Sequence, residues 1–571
     1  MAESENPPVE TEIAELQAAE SGGLGKRLAY YSRKSGPGWL QGAITLGGGS
    51  LAGALYLGVI MGYHMMWLQP FAMILGVIML SAISYVVLTT GERPFGLVKK
   101  HVSPVLAWAW LIATMMANII WCLPQFALGT AALTQNLIPG MPKFAAASLL
   151  LLAGGTVVWF YNSGSKGIKV FELVLKVMVG IVVLSFFGVV IALTTQGQLD
   201  WGQIFGGFIP DLSLLSKPAP TLLPAIEATG ANSEFWTEKV SNLQRDKIIT
   251  AFATAVGINM TFLLPYSMLR KGWGKAHRGL GIFDLAIGLI VPFVLATGCV
   301  VIAAASQFHA TSDDVLQMVA DEKGGKAVKS YSKIIGGLNS NLHADVVDPL
   351  KEAVKAAEQS GDKVKLEEAS GVLSDKMWEL QAASAEGDRK IAAMLAERDN
   401  ADLALTLEPI AGAWAQKVFG VGVLGMAIST IIILMLINGF ATCEAVGADP
   451  RSYVFRVGSL IPAVGFVGPF VWAAAAPALA TPTSVLGGAM LPIAYLTFLL
   501  LMNSKMLGAD KPKGGKAILL NILMAVATVI AGFASAWGLY NKGLPGKIGL
   551  GILAVLLVAG VAGFVAKQRQ S

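Results

Sequence analysis

The sequence predicts an all-α polytopic membrane protein, and three observations carry that prediction. Hydrophobic residues make up 54% of the 571 positions and charged residues only 14%. A soluble domain carries about 25% charged residues, so this chain has too few to cover a water-facing surface. The mean hydropathy is +0.62. The apolar residues also run in long blocks without a 3.6-residue period, as in 181–193, 282–305 and 420–437. A helix needs about 20 such residues to cross the hydrocarbon core, and only helices or closed barrels satisfy backbone polar groups there. The period-two alternation of barrel strands is missing, so the spans are helices.

Spans are expected at about 38–62, 68–90, 105–137, 143–161, 168–195, 247–270, 281–306, 409–444, 457–477, 484–507, 516–540 and 548–567. The loops between them alternate in charge. Lys26, Arg27, Arg33 and Lys34 precede the first span; Arg93, Lys99 and Lys100 follow the second, and Lys166 and Lys169 the fourth. Arg270, Lys271, Lys275 and Arg278 follow the sixth, Arg451 and Arg456 the eighth, and Lys505, Lys511 and Lys513 the tenth. The positive-inside rule then puts both termini in the cytoplasm, with the chain in the cell (inner) membrane. The N-terminus has no apolar h-region, so the first span is expected to direct insertion.

The expected order is a cytoplasmic tail (1–37), a first five-span half (38–195), an amphipathic extracytoplasmic segment (196–246) and spans six and seven (247–306). An extracytoplasmic helical insert (307–408), spans eight to ten (409–507) and the last two spans with a short tail (508–571) complete it. The insert reads as an exposed helical hairpin, Val346–Glu358 and Asp362–Leu380, interrupted at Gly361 and Gly387. It is either a solvated addition or a docking element for an extracytoplasmic partner.

Two spans are interrupted. Span one carries Gly47-Gly48-Gly49-Ser50 at its middle, and span six carries Gly257, Asn259, Thr261 and Pro265. These are the first spans of two five-span halves, the arrangement of an inverted-repeat transporter with its site between two broken helices at the midplane. Unwinding frees carbonyl oxygens for cations and N–H groups for anions. Glycines also permit close helix packing, but paired breaks at matching places in two halves favour a site. Candidate substrate-binding residues are Gly47, Gly49, Ser50, Asn259, Thr261 and Tyr266.

Other chemistry is not encoded. Cys122, Cys299 and Cys443 fall in or beside apolar blocks and form no CxxC pair. Glu172 and Lys176 stand one turn apart in span five, and Asp284 and Glu444 fall near span ends where they can reach the interface. None of the five histidines falls mid-span. Motifs for ATP hydrolysis, metal hydrolysis or nucleophilic catalysis are missing, so neither an enzyme nor a cofactor is expected.

Four segments resemble the Nramp (natural resistance-associated macrophage protein) divalent-metal transporters, over Gly36 to about Leu507. Gly36-Pro37-Gly38-Trp39-Leu40 is similar to that family's GPGFL opening, and Leu128-Gly129-Thr130-Ala131-Ala132-Leu133 to its VIGTAIAL. Gly167-Ile168-Lys169 followed by Glu172 resembles GIRKLE. Pro492-Ile493-Ala494 through Asn503-Ser504-Lys505-Met506-Leu507-Gly508 resembles PFA…TSDRKLMG. The resemblance implies a LeuT-type fold of ten core helices in two inverted halves (5+5 spans), plus about two C-terminal spans.

At the functional positions the chain departs from that pattern. Where the family's DPGN places an Asp and an Asn on the metal, Gly47 and Ser50 stand; where its MPH places a Met sulfur, Leu264 stands, within Leu264-Pro265-Tyr266. The metal ligands are therefore unknown. The position lending a backbone carbonyl aligns with Thr261, and the acidic residues of the proton route align near Leu123 and Phe126. Loss of the thioether disfavours soft metals. The expectation is a secondary transporter of Nramp type, carrying a hard or hydrated divalent ion such as Mg²⁺ by alternating access. The alternatives are a LeuT-fold carrier of a small organic solute such as an amino acid, and a non-transporting sensor or scaffold.

Overall fold

Proline and glycine set the ends of the membrane helices. The third span opens on Pro104 after Ser103, whose hydroxyl accepts the Val105 N–H at 3.2 Å. The second span stops at Gly91, which takes the left-handed conformation (φ 70°) that ends helices cheaply only for glycine. The structure, a computed structural model, describes residues 9–161, 166–321, 325–472 and 476–570, and of 166–179 the backbone alone.

Span 1 is two helices, 1a (Pro37–Thr45) and 1b (Gly48–Met61). Spans 2 to 5 are Leu68–Thr90, Pro104–Leu137, Lys143–Phe160 and Lys166–Thr195. Span 6 is again two helices, 6a (Ser233–Ala255) and 6b (Met260–Arg270). Span 7 is Lys275–Phe308, span 8 Ala415–Val446 and span 9 Tyr453–Val471. Span 10 is interrupted as well, into Ala480–Gly488 and Leu491–Met502. Spans 11 and 12 are Gly514–Tyr540 and Gly543–Gln570. Among the described residues, ten helices are long and apolar enough to cross a membrane, and helix 1b and the Val183–Thr195 part of span 5 are shorter apolar helices.

Position in the bundle follows from what each helix can bury. The apolar window of span 6 is 94% buried against the protein, that of span 12 only 6%. Helix 1b, with six small residues among its first seven (Gly48, Gly49, Ser50, Ala52, Gly53 and Ala54 flanking Leu51 give it a slim profile), sits at the centre with nearly every residue buried. Lys275 pairs with Asp510 at 2.7 Å, Lys505 donates to the Gln568 carbonyl at 2.8 Å, and Lys271 donates to the Lys34 carbonyl at 2.8 Å. These bonds gather both chain ends and the basic loops on one face, the termini-bearing face. Helices Val9–Ser21 and Leu24–Lys34 pack there, with Tyr31 against Phe283 of span 7.

The segments 196–246 and 307–408 meet at the opposite, insert-bearing face and are folded together. Leu214, Ile226, Trp236, Val315, Tyr331, Ile335 and Leu403 share one buried core with helix 1b and span 7. The Trp236 indole and the Asn232 amide both donate to Asp388, at 2.7 and 2.8 Å. The hairpin itself runs Ala344–Ser360 and Lys363–Ala383, turned by Gly361 at φ 70°. Helix 6a starts at Ser233, so residues 233–246, expected from the sequence in the extracytoplasmic segment, are continuous with span 6. No Gly or Pro interrupts 233–255, and the helix simply continues past the apolar stretch that marks it in sequence.

Two further readings change. Asp284 does not reach an interface: it is 0% exposed, and its carboxylate accepts the backbone N–H of Gly36 (2.7 Å) and Gly38 (2.5 Å) and the Ser35 hydroxyl. It thereby fixes the first turn of helix 1a to span 7, where the helix dipole favours an anion. Glu444 is half-buried and pairs with Arg93 at 3.3 Å. The side chains of Glu172 and Lys176 lie outside the described residues.

Candidate functional site

The break in span 1 is a matter of room. Gly47 is extended (φ −83°, ψ 179°) and joins 1a to 1b. A Cβ at Gly47 would strike the Thr430 hydroxyl of span 8, and one at Gly48 would lie 2.7 Å from Gln125 Oε1 and 2.8 Å from Leu128 Cδ1 of span 3. Glycine is required there by the close approach of two other helices. At Gly49 a Cβ would meet only ordinary contacts, Thr254 at 3.5 Å and Gln125 Nε2 at 3.6 Å.

The break in span 6 runs from Val256 to Asn259, with Val256 extended (φ −139°, ψ 109°) and helix 6b resuming at Met260. Pro265, which the sequence suggested as part of the break, lies inside helix 6b. Gly257-Ile258-Asn259 is the true interruption: a Cβ at Gly257 would lie 2.7 Å from the Trp121 ring. Asn259 donates to Asn118 Oδ1 (3.0 Å), Asn118 to Asn438 Oδ1 (3.4 Å), and Asn438 to the Gly458 carbonyl (3.1 Å). Thr261 donates to the Ile258 carbonyl and accepts the Trp110 indole N–H at 2.8 Å.

The two breaks are joined directly. The Ser50 hydroxyl donates to the Thr254 carbonyl at 3.0 Å, so helix 1b is bonded to the last turn of helix 6a. Thr45, the last residue of 1a, donates to the Met260 sulfur at 3.4 Å. Gly47, Ser50, Asn259 and Thr261 are thus brought together and buried, with Gly49 among them and partly exposed. Tyr266 is not with them. Its hydroxyl bonds to Glu444, its ring lies 4.5 Å from that of Phe440, and Arg93 stands 5.0 Å above it. Leu264 is buried in the apolar core.

Span 3 supplies what the sequence reading missed. Trp110, Thr114, Asn118, Trp121 and Gln125 recur every three or four residues on one face, and this stripe meets Thr261, Asn259, Gly257 and then Gly48 and Gly49 in turn. The signal was available as polar and indole residues at helical spacing in an otherwise apolar span. Gln125 Oε1 is buried with no hydrogen-bond partner among the described residues, as are the Thr114 hydroxyl and the Trp121 N–H. The Leu123 backbone lies against Gly468, and the Phe126 ring packs on Phe466 of span 9. Met260 is also new: a thioether stands at the break itself, one turn before Leu264.

What meets at the breaks is therefore a set of neutral oxygens and amides with one sulfur beside them. Among the described residues no group of three or more His, Cys, Asp or Glu could hold a metal ion. Beside Leu46 and Ser50 lies a cavity of ≈ 20 Å³, walled by Phe186 of span 5, Thr297 of span 7 and Met426 of span 8.

Comparison with known proteins gives the same frame. In the Eremococcus coleocola manganese transporter, a histidine-to-alanine variant aligns with a TM-score of 0.60 at 11% identity, over 95% of this chain and 96% of that one. The same transporter in complex with an aromatic bis-isothiourea substituted compound aligns with a TM-score of 0.57 at 12% identity, over the same 95% and 96%. At such identity these likenesses concern the fold alone. No curated protein matches by sequence. The model of the family described as natural resistance-associated macrophage protein-like matches residues 38–323 and 382–538, interrupted only within the insert. With two broken helices facing each other in a twelve-span bundle, and with that match over most of its length, the chain belongs to the Nramp family of membrane transporters.

Proposed function

We propose that this protein carries a hard divalent cation, Mg²⁺ being the type case, with part of its water shell retained, between the broken helices of spans 1 and 6. The observation that carries the reading is Gln125. Its carbonyl oxygen is buried beside the span 1 break and has no donor among the described residues. A buried acceptor left unpaired costs about 1–3 kcal/mol, and a cation-bound water supplies the missing donor. Mg²⁺ sheds water reluctantly and is usually held through several retained waters, which suits neutral oxygens better than a bare ion would. Gly47, Gly49, Ser50, Asn259 and Thr261 line the site in this reading, with backbone carbonyls at the ends of helices 1a and 6a turned to the cargo. Mn²⁺, which takes the same oxygen ligands as Mg²⁺, is the natural competitor, and the Met260 sulfur, which accepts the Thr45 hydroxyl, stands beside them.

The basic loops on the termini-bearing face support a cytoplasmic location for that face. Uptake of Mg²⁺, Mn²⁺ and Ca²⁺ into proteoliposomes tests the proposal: Mg²⁺ flux that saturates and is inhibited by Mn²⁺ is expected. No flux of any of the three would sink it.

A further inference from the structure

A second buried feature lies on the insert-bearing side of the breaks. Lys247 of helix 6a is 6% exposed. Its ammonium donates to the Thr481 hydroxyl of span 10 at 2.8 Å and stands 4.1 Å from the centre of the Tyr56 ring of helix 1b. Lys247 stands eight residues before the end of 6a at Ala255, and Tyr56 eight after the start of 1b at Gly48. Each therefore lies about 12 Å from its break along the helix, so lysine and ring form one tier over the path. The next layer is the insert: the Tyr56 hydroxyl donates to the Arg398 carbonyl at 2.8 Å, and the buried Arg398 pairs with Asp314 at 3.0 Å.

The charge is sparsely compensated. An ammonium has three donors, and the described residues give it one oxygen and one ring face. Asp246, next to it in sequence, is engaged by Lys542 at 2.9 Å, and the remaining carboxylate whose field reaches it is Glu397 of the insert. Burying a charge without a paired counter-ion is costly, and the helices could be held by apolar packing at less cost. Ionisable groups inside membrane helices mark functional positions for that reason.

We propose that Lys247 is the latch of the insert-bearing half of the path: its ammonium ties helix 6a to helix 1b through Tyr56 and to span 10 through Thr481. Cargo passes between that face and the breaks only when these two contacts part. The inference stands on residues other than those of the cation reading and does not depend on what the cargo is.

Thr250 provides the reporter. It lies one turn nearer the break than Lys247 and faces helix 1b, 3.6 Å from where a Gly53 Cβ would be, and it is 1% exposed. In a cysteine-free chain (Cys122→Ala, Cys299→Ala, Cys443→Ala), Thr250→Cys is reacted with a charged maleimide in detergent. Slow labelling is expected with Lys247 and with Lys247→Arg, which keeps the charge, and labelling at least tenfold faster with Lys247→Met. Equal rates for Lys247 and Lys247→Met would overturn the latch, as would Lys247→Arg labelling as fast as Lys247→Met. The melting temperature of Lys247→Met should stay level or rise, since a buried charge is removed. If that variant does not fold, Thr481→Val takes only the hydroxyl and should speed labelling severalfold; an unchanged rate would again overturn the proposal. Because labelling needs no cargo, native protein without cation uptake breaks the cation reading and leaves the latch standing.

Discussion

The two breaks are built in opposite ways. In span 6 the polar side chains at the break are answered by fixed side chains: Asn259 by Asn118, Asn118 by Asn438, Thr261 by Trp110. These partners stand on spans 3 and 8, so the span 6 break is pinned to the scaffold. In span 1 the break is bare. Its neighbour Gln125 has an oxygen left unanswered among the described residues, and one hydroxyl bond from Ser50 joins helix 1b to helix 6a. The difference teaches where cargo and motion belong. A pinned break holds geometry, whereas an unsatisfied one has bonds to offer a ligand and few to lose when it moves.

The largest effect should come from unpinning span 6. Asn118→Ala leaves the Asn259 donor and the Asn438 acceptor buried and unpaired, so a loss of about 2–4 kcal/mol of stability is expected. Thermal melting in detergent measures it, and a loss no larger than that of Ser50→Ala would erase the contrast between the breaks. Trp110→Phe comes next. It keeps the ring contact with Phe262, 4.7 Å between centroids, and removes only the bond to Thr261. About 1–2 kcal/mol is expected, and Trp110→Phe should not add fully to Asn118→Ala, because both loosen one segment.

Much of this frame was legible in the sequence, and the losses have physical reasons. Block hydropathy and loop charge gave the helices because burial in lipid demands length and apolarity and little else. The span 1 break was readable from the run Gly47–Gly49, in which Gly47 and Gly48 leave no room for a side chain. Pro265 misled, since it lies inside helix 6b without ending it, while Gly257 and Asn259 gave the real interruption. The bonds from Asn118 to Asn259 and Asn438 join residues 141 and 320 positions apart, and a polar residue in one span does not announce which distant residue answers it. Asp284 was misjudged for the same reason: its partners, Ser35, Gly36 and Gly38, come from another helix. Tyr266 followed Leu264 and Pro265 by family alignment, but its helical phase carries the hydroxyl to Glu444. The insert's charged, helical pattern announced an exposed helix pair and not the apolar floor that joins it to helix 1b.

At the bare break the expected effects on stability are smaller and those on transport larger. Ser50→Ala removes one bond to the Thr254 carbonyl, and about 1 kcal/mol should be lost. The sharpest test of the contrast is the pair Gly48→Ala and Gly49→Ala, of which Gly49→Ala should change stability least. Both add one methyl to the first turn of helix 1b, and both gain up to about 1 kcal/mol of helix propensity. They differ in what the methyl meets. At Gly49 it makes ordinary contacts at 3.5 and 3.6 Å, whereas at Gly48 it falls 2.7 Å from Gln125 Oε1, which must turn away. If that oxygen receives a cargo-bound water, Gly48→Ala should raise the KM for Mg²⁺ at least fivefold, and Gly49→Ala should leave it within twofold. Equal KM values for the two variants would mean that Gln125 takes no part, and the span 1 break would then have to hold its cargo through backbone groups alone.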